Sequence, residues 1–223
     1  MGDMTDTQTS DDRPAAPGPD DPRRHFAATY ATAESVITDA RPDQFDLPTP
    51  CDAFDVRGML GHLLAVANRV AAIGRGQDPF SIPDSVTAPD DHWSAAWSDA
   101  GHEIQAAWTD DATLERIVVL PWAQLPGGRT LDMFTSEVAV HTWDLAVAIG
   151  ATPTWDDSAL VGALAVMEQV LPAAGRMESF EAARAETPTE FRDFPPPFAA
   201  AIDLPRGAPM IDRLVAHTGR QPR

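Results

Sequence analysis

Histidine and carboxylate side chains stand at helical spacing in one apolar segment of the chain. Glu137 and His141 lie four residues apart within the run 131–149. On a helix, residues four apart occupy adjacent turns of one face, so these two groups can bind one ion together. Burial of a carboxylate and an imidazole is costly unless a partner compensates them, and a divalent cation compensates both. The spacing therefore predicts a metal site on this helix.

A second segment supplies the third ligand. The run 56–73 carries an apolar stripe, and His62 lies about 100° from the centre of that stripe, at its edge. Such an edge position can point into the interior of a helical bundle near its mouth. Two histidines and one glutamate leave a coordination position open for water or substrate, which is typical of catalytic sites. Asp144, nearly one turn beyond His141, is the predicted acceptor for a ligand imidazole N–H and our one further catalytic candidate.

The same residues allow simpler interpretations. A glutamate and a histidine four apart often form only a surface ion pair, and Asp144 could equally be solvated. Glu137 could instead be neutralised by a buried arginine, for which Arg57 and Arg69 in the run 56–73 are the candidates. For Cys51 we expect a structural role as a buried, inert thiol, because a single cysteine cannot form an internal disulfide.

Composition excludes several classes of function. Acidic residues outnumber basic residues 34 to 16, which gives a net charge of −18. Such a charge opposes binding to nucleic acids and to anionic membranes. All sixteen basic residues are arginine, so lysine-based chemistry is excluded. With no pattern of a signal peptide or membrane span, we expect a cytoplasmic protein, monomeric or homodimeric, that binds neither nucleic acid nor membrane.

The predicted elements that position these site residues are helices. Residues 1–22 carry six aspartates and one arginine and predict a disordered acidic tail, so that 23–223 form one domain. Residues 114–129 predict a short β-hairpin or irregular crossover, with a turn at Gly-Gly. The expected fold class is all-α, an antiparallel four-helix bundle with an extra C-terminal helix. The periodicity predicts helices over 23–40, 56–73, 92–108, 131–149, 157–171 and 211–217.

Three separated motifs resemble a known family. The stretch LPTPCDAFDVRGMLGHLLAVANRV is similar to the Pro-Thr-Pro-Cys, Val-Arg and Leu-x-His-Leu opening of the actinobacterial branch of the DinB-like metal-binding superfamily, related to the N-terminal domain of mycothiol-dependent maleylpyruvate isomerase. SEVAVHTWDLAVAIG resembles its Glu-xxx-His-x-Trp-Asp-Leu-Ala helix, and DLPRGAPMIDRLVAHTGRQP resembles its ending. The chain departs from the family at Phe54 (commonly tryptophan), at Gly58 (usually acidic) and in an expanded segment, 176–197.

The resemblance implies a function as well as a fold. Carried over by motif, the ligands of a divalent metal are His62, Glu137 and His141, with Zn²⁺ as the first choice and Ni, Fe or Mn as alternatives. The metal would activate a low-molecular-weight thiol such as mycothiol for attack on a small electrophile, as in a thiol S-transferase. Because the acidic chain repels an anionic thiol or acid, we expect Arg57 or Arg69 to offset that field.

The length of the chain limits this function, and the sequence also allows an alternative function. About fifty residues remain after the fifth predicted helix, too few for the second domain of the isomerase, so isomerisation of maleylpyruvate is not expected. The alternative is a non-catalytic metal-binding protein of the same fold, acting in stress or partner recognition.

Overall fold

The computed structural model describes residues 18–121, 123–186 and 198–222. Its helices are α1 (Pro22–Asp39), α2 (Val56–Gly74), α3 (Trp93–Ala107), α4 (Ala112–Glu115), α5 (Gly127–Ile149), α6 (Asp157–Val170), α7 (Arg176–Glu186) and α8 (Met210–His217). Strands β1 (Ile117–Leu120) and β2 (Ala123–Pro126) pair as an antiparallel hairpin. The predicted all-α class with one short hairpin is therefore confirmed. Across the described ranges, every helix is too short or too polar to cross a bilayer.

The four longest helices pack in a closed ring of pairs. Helix α1 contacts α5, α5 contacts α2, α2 contacts α3, and α3 contacts α1. Through this closed ring of contacts, the four helices enclose one core. Helices α6 and α8 pack against each other and against α5, outside the ring. Helices α2 and α5, which carry the predicted ligands, are thus direct neighbours.

Helix α1 begins at Pro22, one residue before the start of the helix predicted over 23–40. The Asp21 side chain accepts a hydrogen bond from the backbone N–H of Arg23 and so caps this helix, and Pro22 occupies its first turn. Residues 1–17 of the predicted acidic tail lie outside the described residues, as do residues 187–197 of the expanded segment.

Helix α2 is covered on more sides than its apolar stripe indicates. It begins at Val56, as predicted, and its N-cap is Asp55, whose side chain accepts a hydrogen bond from the backbone N–H of Gly58 at 2.7 Å. The loop after α2 folds back along the helix, where the Val86 backbone N–H donates to the Gly61 carbonyl oxygen at 3.1 Å. His62, which the sequence placed at the edge of the stripe, is therefore buried.

Helix α5 begins four residues earlier than its apolar pattern indicates. The turn predicted at Gly-Gly is wrong, because Gly127 and Gly128 form the first turn of the helix. A Cβ on Gly127 would lie 2.0 Å from the Thr113 carbonyl oxygen, so the close approach of this backbone requires glycine. The helix ends at Ile149, as predicted, and its C-cap is Gly150, whose φ of 76° is left-handed.

The expanded segment 176–197 begins with a helix that the sequence did not predict. Helix α7 occupies its first half, although its residues show little apolar periodicity. The Arg176 guanidinium is buried and donates to the carbonyl oxygens of Leu171, Ala199 and His217. These contacts fix the start of α7 against the end of α8. Long-range contacts, rather than local pattern, therefore specify this helix.

The only tyrosine bridges α1 and α3. The Tyr30 ring stacks on Trp97 with centroids 4.0 Å apart, and its hydroxyl donates to the Trp97 carbonyl oxygen at 2.6 Å. Burial, with a smaller contribution from the Glu34 charge, raises the pKa of Tyr30 far above its ordinary value. The phenol therefore stays protonated in the folded protein at pH values where it ionises in the unfolded chain.

Raising the pH above about 10 is expected to lower the free energy of unfolding by up to about 1.4 kcal/mol per pH unit. A group whose pKa is raised by folding contributes its full stability below its unfolded pKa and loses it as the pH rises. Because the chain lacks lysine, Tyr30 dominates this range. Denaturant titrations from pH 9 to about 12 measure the loss, and Tyr30→Phe should remove it. An equal loss in Tyr30→Phe would contradict the assignment.

Candidate metal centre

Side chains of α2 and α5 meet at one point between the two helices. His62, Glu137 and His141 each offer one ligand atom, and these atoms all lie within 4.8 Å of one another. Nε2 of His62 lies 3.6 Å from Oε1 of Glu137. The two imidazole rings meet edge to face, with centroids 4.7 Å apart. The structure thus brings together the three side chains that the sequence singled out as metal ligands.

His62 is oriented by the loop that covers α2. Its Nδ1 lies 2.6 Å from the backbone carbonyl oxygen of Asp84. Because a carbonyl oxygen can only accept, Nδ1 carries a proton, so in the neutral ring the lone pair is on Nε2, the atom that faces Glu137. The Phe54 ring stacks on the imidazole at 4.8 Å between centroids. Asp84 and Phe54 therefore hold the His62 ring on two sides.

His141 is oriented by a carboxylate on its own helix. Its Nδ1 lies 3.1 Å from Oδ2 of Asp144, whose side chain is 0% exposed. Asp144 also accepts two hydrogen bonds from Arg220, Nε to Oδ1 and Nη2 to Oδ2, each at 2.7 Å. A carboxylate so paired only accepts, so Nδ1 of His141 carries the proton and Nε2 is free. The sequence predicted the contact with Asp144 but not the arginine.

The electrostatics of His141 and Asp144 suit metal binding. Burial lowers the pKa of His141 more than the hydrogen bond to Asp144 raises it, so the imidazole is neutral at neutral pH. Burial alone would raise the pKa of Asp144, but the hydrogen bonds from His141 and Arg220 bring it below its ordinary value. A neutral imidazole with a free lone pair is the form that binds metal.

Glu137 completes the centre as an anion. Burial raises its pKa, but the contact with His62 and, at the acidic pH where a carboxyl titrates, the charges of His141 and Arg69 outweigh this and lower the pKa below its ordinary value. The side chain remains 31% exposed, so solvent reaches the centre. One carboxylate and two imidazoles with free Nε2 atoms form a donor set that fits Zn²⁺ and related divalent ions.

Arginine does not take the place of a cation beside Glu137. The Arg57 guanidinium pairs with Asp90 and lies 4.8 Å above the centroid of the Phe45 ring, half-exposed. Arg69 donates to Oδ1 of Asp84 at 2.7 Å. Over the described part of the chain, the ion pair of Glu137 joins it to His62 and to no guanidinium. The arginine-neutralised interpretation of Glu137 therefore lacks the contact that it requires.

A second group of potential ligands shares His141. Atoms of Cys51, His141 and Asp144 also lie within 4.8 Å of one another. Cys51 is partly exposed, not buried as expected, and it stands beside the centre rather than apart from it. Asp144 is already held by Arg220, so this group offers fewer free ligand atoms than the first. The sequence analysis did not place Cys51 at the centre; its position in the Pro-Thr-Pro-Cys motif, which resembles the family opening, is the signal from which this place could have been inferred.

Residues 26–146 match the family described as the mycothiol maleylpyruvate isomerase N-terminal domain. The chain belongs to this family. The resemblance inferred from the motifs is thereby confirmed. The match to the mycothiol maleylpyruvate isomerase N-terminal domain family includes His62, Glu137 and His141, and ends within α5, before Arg220.

Relatives from an actinobacterium extend the similarity over most of the chain. The uncharacterized proteins MT0763 and Rv0738, from the CDC 1551 / Oshkosh and ATCC 25618 / H37Rv strains of Mycobacterium tuberculosis, are each 30% identical over 190 residues. This alignment covers 85% of the present chain and 92% of each relative. Their names state no activity. No solved structure gives a significant match.

Proposed function

We propose that this protein is a metal-dependent enzyme of the thiol S-transferase type. His62, Glu137 and His141 would hold the metal, with Zn²⁺ as the first choice and Ni, Fe or Mn as alternatives. One observation carries the proposal. Both histidines donate from Nδ1 to fixed acceptors, and this leaves two Nε2 lone pairs beside an ionised carboxylate.

The proposed chemistry needs an open metal position and a thiol. Three protein ligands leave such a position, and a bound divalent metal would lower the pKa of a coordinating thiol and so provide a nucleophile at neutral pH. Because the family is named for mycothiol, a mycothiol-like low-molecular-weight thiol is the co-substrate that we propose. Its partner would be a small electrophile.

Arg69 is the better placed of the two arginines predicted to attract an anionic substrate. Its side chain is 13% exposed, and its charge contributes to the lowered pKa of Glu137. Its Nε is buried and has no hydrogen-bond partner among the described residues. Arg57 is half-exposed, and each arginine is also paired with an aspartate, Arg57 with Asp90 and Arg69 with Asp84. We therefore assign the attraction of an acidic thiol or electrophile to Arg69.

Thiol transfer is tested with metal-loaded protein, mycothiol and monochlorobimane. The thiol gives its proton to solvent, its sulfur forms a bond to the bimane carbon as chloride leaves, and the fluorescence of the thioether reports the rate. We expect a rate above the uncatalysed background, lost in Glu137→Gln and after chelation. Glu168→Gln, which makes the same change at an exposed position, should keep the rate.

If protein that holds one equivalent of metal gives no rate above the uncatalysed background, the enzyme proposal is overturned. That result would leave the metal-binding protein without catalysis as the function. Loss of the rate in Glu168→Gln as well would show that the assay does not report on the centre.

A further inference from the structure

Arg220 reaches the candidate metal centre from the far end of the chain. Its Nε and Nη2 atoms each donate to one oxygen of Asp144 at 2.7 Å, across 76 positions of sequence. The arginine side chain is 12% exposed and the aspartate 0%. Arg220 lies outside the residues 26–146 that match the family, so the match says nothing of this contact.

The end of α8 holds Arg220 in this position. Helix α8 packs against α5 and α6, and the chain turns back after it through Gly219, whose φ is 89°. A Cβ on Gly219 would lie 2.6 Å from the Ala199 side chain, so this turn requires glycine. The Arg220 backbone N–H donates to the Val215 carbonyl oxygen at 3.0 Å, and Nη1 donates to Oγ1 of Thr218 at 3.2 Å.

The geometry of the pair restricts how Asp144 can move. A guanidinium that donates two parallel hydrogen bonds fixes both oxygens of a carboxylate, which a single point charge cannot do. Oδ2 of Asp144, which accepts from Arg220, also lies 3.1 Å from Nδ1 of His141. A side chain fixed at both oxygens keeps one acceptor in front of Nδ1 of His141.

We propose that Arg220 is a positioning residue for the metal centre. Through Asp144 it holds His141 with the proton on Nδ1 and the lone pair of Nε2 turned toward the position between His62 and Glu137. The consequence for metal binding rests on the proposed function. The effect of Arg220 on the tautomer of His141 does not rest on the proposed function, because the hydrogen bonds that cause it form without a metal.

The first test is the state of the His141 ring in metal-free protein. Nitrogen-15 NMR distinguishes the two neutral imidazole tautomers, and His141→Gln identifies the resonances of this ring. We expect the Nδ1–H tautomer to dominate in the unsubstituted protein and a mixture to appear in Arg220→Gln. Arg206→Gln, which removes an exposed arginine from the same C-terminal segment, should leave the ring unchanged. An identical tautomer in the unsubstituted protein and in Arg220→Gln would overturn the proposal.

The second test is Zn²⁺ affinity, measured by competition with a chromophoric chelator. Arg220→Gln is expected to weaken binding about 10- to 100-fold, as loss of an outer partner of a metal ligand does. Arg220→Lys can fix only one carboxylate oxygen, so its Zn²⁺ affinity should lie between that of the unsubstituted protein and that of Arg220→Gln. In an Asp144→Asn background, Arg220→Gln should cause little further loss, because the two residues act in series. An equal loss in both backgrounds would overturn the proposal.

The two tests separate this proposal from the proposed function. If the unsubstituted protein binds no metal, the proposed function fails, and the NMR comparison still decides the role of Arg220. If Arg220→Gln does not fold, Arg220→Lys is compared with the unsubstituted protein in the same NMR measurement. An unchanged His141 ring in that variant, together with unchanged Zn²⁺ affinity, would overturn the proposal.

Discussion

Replacing Glu137 with glutamine is expected to reduce bound metal from about one equivalent per chain to less than about a tenth. The amide is neutral and a poorer metal ligand than a carboxylate, and only two imidazoles remain. Even loss of an outer partner costs about 10- to 100-fold in affinity, and loss of a direct ligand costs more. Elemental analysis of protein purified without chelator measures the metal, and His62→Ala should give the same result.

Heat stability provides a second measure of the same change. A metal present at about 100 times its dissociation constant stabilises the folded state by about 2.7 kcal/mol, and Glu137→Gln should lose that gain. Glu168→Gln is the matched control, since Glu168 is exposed, and it should keep both metal and stability. Full metal occupancy in Glu137→Gln would show that Glu137 is not a ligand.

Replacing Gly61 with alanine is expected to lower stability and weaken metal binding together. A Cβ at this position would lie 2.3 Å from the Val86 carbonyl oxygen and 2.4 Å from Oγ of Ser85, so the loop must move away from α2. Such overpacking costs about 1–3 kcal/mol, which exceeds the gain of up to about 1 kcal/mol from the better helix former. The displaced loop also carries Asp84, whose carbonyl oxygen orients His62.

Denaturant midpoints and Zn²⁺ affinity measure the two effects of Gly61→Ala. Gly207→Ala is the control, because a Cβ at this exposed glycine would meet no atom within 4 Å. We expect Gly207→Ala to change both quantities less. A Gly61→Ala variant with unchanged midpoint and affinity would contradict the role of the loop in orienting His62.

Helix geometry made the predicted ligands accessible to sequence reasoning. The spacing of Glu137, His141 and Asp144 fixes their relative positions on α5 as soon as the segment is known to be helical. The placement of His62 opposite them needed the packing of α2 on α5, which the family motifs implied and the structure describes. What one helix determines by itself was therefore predictable.

Contacts made by loops and chain ends were not predictable in this way. The Asp84 contact depends on a backbone carbonyl oxygen, so no side-chain type marks it, and the Arg220 contact spans 76 positions. Gly127 illustrates a related limit. Two consecutive glycines are typical of turns, yet here the near approach of Thr113 makes them the start of a helix. Each of these features arises from tertiary packing, which the local sequence pattern does not show.

The most direct test of the metal centre is a crystal structure of protein purified without chelator, with diffraction recorded at the absorption edge of the metal found by elemental analysis. We expect one anomalous peak about 2.0–2.2 Å from Nε2 of His62, an oxygen of Glu137 and Nε2 of His141. An ordered site with no anomalous peak, or with a guanidinium against Glu137, would contradict the assignment of this metal centre.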